Sequence, residues 1–192
     1  MPSSSIVLEP DHDASKTPSP AAIPSLPTLT EKPTAYPGCC LGLSTPLLAH
    51  FRTLLPQAPA LILSIGSGFG LLEAYLLELP PSVNVAGVEV EPSPNKYLPP
   101  SNHRIVHGTR FLEPLAKDAA TWLFVYPRRV GLVMEYLDTH GEGALQTIVW
   151  VGPHADWSDY EHCFAGWKTQ MTSADQVGGR AWELIAVARK PG

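Results

Sequence analysis

The chain has 192 residues, 44% of them hydrophobic, and a formal net charge of −5. That length fits one domain with a sizeable core, and the acidic balance excludes broad, phosphate-driven nucleic-acid binding. No apolar run approaches the ~20 residues of a membrane span, and three cysteines, Cys39, Cys40 and Cys163, do not make a disulfide framework.

Residues 1–36 are rich in Pro, Ser and Thr and poor in aromatics. Such a segment cannot bury enough surface to offset its ordering entropy, so a disordered tail is expected over 1–36 and a folded domain over 37–192. A chain beginning near Pro37 is then expected to melt within about a few degrees of the full one. The N-terminus has neither a basic start nor a continuous apolar core, and it carries Glu9, Asp11 and Asp13. No secretory or mitochondrial leader is expected, and the sparse cysteines favour a reducing, cytoplasmic compartment. Cys39, Cys40, His162 and Cys163 are zinc-type ligands, but their spacing matches no finger and no metal is expected.

The domain pattern opens with a helix, with Thr45 as a candidate N-cap and Pro46 in the first turn. Leu47, Leu48, Phe51, Leu54 and Leu55 recur at helical spacing, and Pro56 and Pro59 mark the stop. The strand-like run 61–65 ends at Gly66, Gly68 and Gly70, and an apolar helical pattern continues through Leu79. Strand, tight glycine turn and helix together let backbone N–H groups approach a ligand at a helix N-terminus. A second apolar run, 83–89, ends in Glu89, where a ribose hydroxyl pair would need an acceptor; Glu91 competes for that role. Residues 91–102 form a long connection with room for a short helix near 94–98. Then come a strand at 104–109, a helix at 111–120 and a strand at 121–127. An amphipathic helix follows at 129–140, through Val130, Val133, Met134 and Leu137, ended by Gly141. A strand at 145–153, a loop plus helix at 155–165, a turn at Gly178 and Gly179 and a last strand at 182–189 complete the chain. Alternating strands and helices predict an α/β, Rossmann-like, doubly wound and mostly parallel sheet.

The glycine spacing separates two cofactor classes. A dinucleotide fingerprint needs a small third residue at position 71, which is Leu71. A Tyr-x-x-x-Lys pair is also absent, so a nicotinamide oxidoreductase is disfavoured. The Gly-x-Gly-x-Gly turn instead resembles the first motif of class I S-adenosylmethionine-dependent methyltransferases. Gly87, Val88 and Glu89 resemble that family's second-strand end, and the strands at 104–109, 121–127 and 145–153 follow its order. The resemblance implies S-adenosylmethionine as cofactor, held by Ser64, Gly66, Ser67, Gly68, Gly70, Glu89 and Thr109. Ser64 stands where the family often carries an acid, and Thr109 where an Asp often reads the adenine. Tyr126, Pro127, Arg128 and Arg129 replace the usual signature of amino-nitrogen methylating enzymes. These departures keep open a non-catalytic protein on the same fold, binding a partner or only the cofactor.

Sheets of this kind bind ligands beyond the carboxyl ends of their strands. His154 and Tyr126 are the candidate catalytic residues there, His154 because its titration range suits proton transfer. Arg128, Arg129 and Asp156 are the candidate substrate contacts, with two guanidinium groups able to clamp a carboxylate or phosphate. Trp150, Trp157 and Trp167 could line an aromatic pocket. The mixture suits a small-molecule acceptor better than a nucleic-acid strand.

Overall fold

The computed structural model describes residues 22–192. Two short strands, β1 (Thr34–Tyr36) and β2 (Cys39–Leu43), pair antiparallel ahead of helix α1 (Thr45–Leu54). The N-cap of α1 is Ser44, one residue before the expected Thr45. Ser44 is buried and extended, and its hydroxyl accepts the Leu47 N–H at 3.2 Å while donating to the Gly178 carbonyl at 2.7 Å. Strand β3 (Leu61–Ile65), helix α2 (Leu71–Glu78), strand β4 (Asn84–Val90) and strand β5 (His103–Val106) follow. Beyond them come β6 (Thr121–Val125), α3 (Val130–His140), β7 (Thr147–Pro153), α4 (Trp157–Tyr160), β8 (Lys168–Ser173) and β9 (Glu183–Arg189).

Seven strands form one sheet in the order β5-β4-β3-β6-β7-β9-β8. The first five are parallel, and β9 runs antiparallel to both β7 and β8. The doubly wound, mostly parallel sheet expected from the alternating pattern is present. The chain leaves β3 toward β4 on one side and returns to β6 on the other, which makes β3 the switch point where such sheets open a crevice. Successive side chains point to opposite faces. Ile62, Leu123 and Val149 therefore meet α1 and α2, while Leu63, Trp122, Phe124 and Trp150 meet α3 and the 157–164 segment. Among the described residues no helix is long and apolar enough to cross a membrane.

Local chemistry departs from the expected pattern in three places. The helix expected over 111–120 is only a 3-10 turn, Pro114–Asp118. Trp122 Nε1–H reaches back to the Ala116 carbonyl at 3.0 Å and holds that turn against the sheet. No helix forms near 94–98, because the Asn95 side chain accepts the Leu98 N–H at 3.1 Å and donates to the Leu98 carbonyl at 2.9 Å. Such side-chain bonds offer the backbone an alternative to helix.

The third departure concerns the segment ahead of Pro37. Leu26, Leu29 and Tyr36 pack against the α1–α2 layer. Thr45 N–H donates to the Thr30 carbonyl at 2.9 Å, and the Tyr75 hydroxyl donates to the Pro27 carbonyl. The disorder expected over 1–36 therefore does not extend through its described part; residues 1–21 lie outside the described residues. A chain starting at Pro37 should melt lower than the full one, not within a few degrees of it. Two half-buried leucines contribute about 1 kcal/mol each, and each kcal/mol shifts a domain of this size by about 2–4 °C. Calorimetry should find a loss of about 4–8 °C, and a loss below about 2 °C would return the segment to the tail.

Candidate active site

The chain leaves β3 through a turn that only glycine takes without strain. Gly66, Gly68 and Gly70 have φ of +81°, +58° and +76°. Gly66 and Ser67 donate their N–H groups to the Val88 carbonyl at 2.9 and 3.0 Å, tying the turn to β4. The Gly68 N–H donates to Glu89 Oε2 at 2.7 Å. A Cβ on Gly66 would meet nothing within 4 Å, so that backbone faces open space. A Cβ on Gly70 would strike Asn95 and Leu98, so Gly70 caps α2 and serves packing.

The open space is a cavity of about 630 Å³ beyond the carboxyl ends of β3, β4 and β6. Its wall includes residues 66–68, Glu89, Thr109, Phe111 and residues 126–129, and residues 38–40 of the β1–β2 hairpin close one side. Glu91 stays out of the wall, paired with exposed His107 at 2.6 Å, so of the two candidate acids only Glu89 reaches the cavity. Ser64 is buried behind the wall and donates its hydroxyl to Glu73 Oε1 at 2.5 Å. Glu73, in the first turn of α2, is 2% exposed and does reach the cavity. Burial pushes its carboxyl up to about 7; the Ser64 bond pulls it down and the Glu89 charge pushes it up. Sequence reasoning missed Glu73. The signal was one acid inside the run Leu71, Leu72, Ala74, Tyr75 and Leu76, a helix start apolar on every side.

On the opposite wall, Tyr126 has φ +51°, the sole positive φ outside glycine among the described residues. Its hydroxyl donates to Glu183 Oε1 at 2.9 Å. Burial first, and then this bond, push the phenol well above its ordinary range, so Tyr126 stays protonated at neutral pH. Arg129 is already engaged: it forks onto Glu135 at 2.7 and 2.8 Å and donates to the Thr109 carbonyl at 2.8 Å. Arg128 lines the cavity, is exposed, and has no hydrogen bond or ion pair among the described residues.

His154 and Asp156 do not join them. Both are exposed and lie outside the cavity wall, in a 3-10 turn after β7. The reason is register: β7 continues to Pro153, opposite Glu183 of β9, and the His154 N–H donates to the Trp182 carbonyl at 2.7 Å. The residue that β9 brings to the back of the wall is Glu183, which no sequence motif singles out. Trp150 and Trp157 pack together at 5.2 Å in the core, and Trp167 packs against the same cluster, so none of the three lines the cavity. Among the described residues no three His, Cys, Asp or Glu side chains gather as a metal site.

No protein-family model matches the sequence, and no curated protein matches it. Solved structures do. The methyltransferase domain of bacterial CtHen1 superposes with a TM-score of 0.54 at 13% identity, over 75% of this chain and 97% of that one. The precorrin-6y C5,15-methyltransferase from Geobacter metallireducens gives 0.56 at 12% identity, over 76% and 86% of the two chains. The fold is that of the class I methyltransferases. The plantazolicin methyltransferase BpumL, solved in complex with a monoazolic desmethylPZN analogue and SAH, shares it with a TM-score of 0.53 at 15% identity, over 77% and 82% of the two chains. On this methyltransferase fold the glycine turn, Glu89 and the cavity all sit at the switch point between β4 and β6.

Proposed function

We propose that the protein is a cytoplasmic S-adenosylmethionine-dependent methyltransferase acting on a small-molecule acceptor. The observation that carries this reading is the cavity at the switch point, with the open Gly66 backbone on one side and Glu89 on the other. Its volume of about 630 Å³ is that of a small-ligand site. The residues present fit the cofactor. Glu89 spends two lone pairs on the Gly68 and Val90 N–H groups, and a carboxylate offers about four, which leaves acceptors for a ribose diol. Gly66 leaves room for close approach, and Thr109 and Phe111 supply a wall for the base.

When bound, the sulfonium supplies an electrophilic methyl group for in-line displacement. The chain's own work is then positioning and exclusion of water. Tyr126, kept protonated by burial and by its bond to Glu183, shapes the acceptor wall and does not act as a base. Arg128, with its guanidinium unengaged among the described residues, is suited to an anionic group on the acceptor. Among the described residues no imidazole faces the cavity, which suits an acceptor whose lone pair is free near neutral pH, such as an aromatic amine or a ring nitrogen.

Calorimetry with S-adenosylhomocysteine, S-adenosylmethionine and NAD tests the reading. The two adenosyl ligands should bind and NAD should not. Glu89→Ala should weaken the adenosyl ligands about 10- to 100-fold through loss of charge-assisted hydrogen bonds. Unchanged affinity in a folded Glu89→Ala protein would remove the ribose assignment. One observation favours a non-catalytic binding protein as the second reading: His154 lies outside the wall and the Tyr126 hydroxyl is committed, so no base among the described residues serves the acceptor side. Tight cofactor binding without turnover on amine, thiol and hydroxyl acceptors would select it.

A further inference from the structure

Charge is distributed unevenly around the cavity. Glu73 and Glu89 stand beside the glycine turn, and Arg128 and Arg129 stand past the end of β6. Arg129 is engaged, since Glu135 takes both arms of its fork. Arg128, one residue earlier, is exposed and has no hydrogen bond or ion pair among the described residues. Among the described residues no lysine and no histidine lines the cavity. The part of the cavity beyond β6 therefore holds one uncompensated positive charge. Tyr126, Pro127 and Leu132 border it in the wall, each half-buried. Water serves the guanidinium while the cavity is open. A molecule seated against those three side chains excludes that water, and covering a charge without giving it a partner is costly. A neutral acceptor strands Arg128, whereas an anionic one pairs with it.

We propose that the acceptor is an aromatic monocarboxylate with a nitrogen nucleophile, and that Arg128 is the residue that selects it. The proposal rests on the methyltransferase reading above and narrows its small-molecule acceptor to one class. The single free guanidinium sets the anion. A phosphate monoester carries a charge of about −1.5 to −2 at neutral pH, more than one guanidinium matches. A carboxylate carries one charge and takes two parallel N–H donors from the fork. The wall and its lack of a base set the rest. An aliphatic amine is protonated at neutral pH, as a lysine with its ordinary value of about 10.4 is, and no imidazole in the wall takes that proton. An aromatic amine or a ring nitrogen keeps its lone pair. Its ring supplies the apolar body that Tyr126, Pro127 and Leu132 cover.

The test is calorimetry on the full chain saturated with S-adenosylhomocysteine. Nicotinate, anthranilate and quinoline-2-carboxylate are each compared with their primary amides, which keep the ring and the nitrogen and lose the charge. Phenyl phosphate is the further probe. At least one carboxylate should bind at least tenfold more tightly than its amide and than phenyl phosphate. In Arg128→Gln that preference should shrink to within twofold, while affinity for S-adenosylhomocysteine stays within twofold of wild type, which also reports an intact fold. Amides that bind as tightly as the carboxylates, or a preference that survives in Arg128→Gln, would overturn the proposal. Tighter binding of phenyl phosphate would overturn it too, and so would an equal loss for S-adenosylhomocysteine, which would place Arg128 in the cofactor site. If S-adenosylhomocysteine binds the wild type and no carboxylate does, the acceptor class is wrong and the cofactor reading stands. If S-adenosylhomocysteine itself does not bind, the methyltransferase reading falls and takes this class with it.

Discussion

Replacing Glu183 by alanine should lower the melting temperature by on the order of 10 °C, the largest loss expected from any single change around the cavity. Glu183 is fully buried, and its carboxylate accepts the Gly42 N–H at 3.1 Å, the Arg180 N–H at 3.0 Å and the Tyr126 hydroxyl at 2.9 Å. Arg180 Nη1 stands a further 3.7 Å away. One side chain thus joins β2, the loop before β9 and the end of β6. Removing it strands these donors and leaves an arginine without its counter-charge, a class of change that costs about 3–5 kcal/mol. Glu183→Gln should lose less, because its amide oxygen still accepts two of the donors. Tyr126→Phe should lose about 1 kcal/mol, since it removes one donor and leaves no group unpaired that the others cannot serve. Differential scanning calorimetry on the three variants checks the ranking. A Glu183→Ala protein melting within about 2 °C of wild type would show that the network adds nothing to stability.

The ranking also explains how unevenly the sequence disclosed the molecule. The parallel strands β3, β4, β6 and β7 were legible because each is buried on both faces and reads as an apolar run. β8 carries Lys168, Thr169 and Gln170 on an exposed edge and gives no such signal. Residues 111–120 have helical composition, but the Trp122 indole bond to the Ala116 carbonyl outweighs it, and that contact forms only once β6 is in the sheet. The glycine turn and Glu89 were legible because they are local: three glycines close a turn, and Glu89 ends the next apolar run. The wall around Tyr126 depends on how far β7 runs against β9. That register sends His154 outward and brings Glu183 in behind Tyr126, and no spacing in the sequence encodes it. Glu73 falls between the two cases. It lies three residues past the turn, yet its meaning comes from burial on every side of α2, which makes a lone acid conspicuous only in three dimensions.

Glu73→Gln should make the ligand-free protein more stable at pH 8 than the wild type, while leaving the two nearly equal at pH 4. The carboxyl sits at about 7 in the folded chain against an ordinary value of 4.5. The folded state therefore holds its proton more tightly than the unfolded state does. Below 4.5 both states are protonated and Glu73 makes no pH-dependent contribution. As pH rises from 4.5 to about 7 the unfolded chain gives up its proton first, and wild-type stability falls. The fall levels off above about 7 at about 3 kcal/mol, because each tenfold difference in proton affinity between the two states is worth roughly 1.4 kcal/mol. Gln carries no ionisable group, so its curve lacks this descent. The Gln variant should therefore gain about 3 kcal/mol on the wild type between pH 4 and pH 8. Urea unfolding of both proteins between pH 4 and 8 measures it, and parallel curves would show that Glu73 has the same proton affinity folded and unfolded.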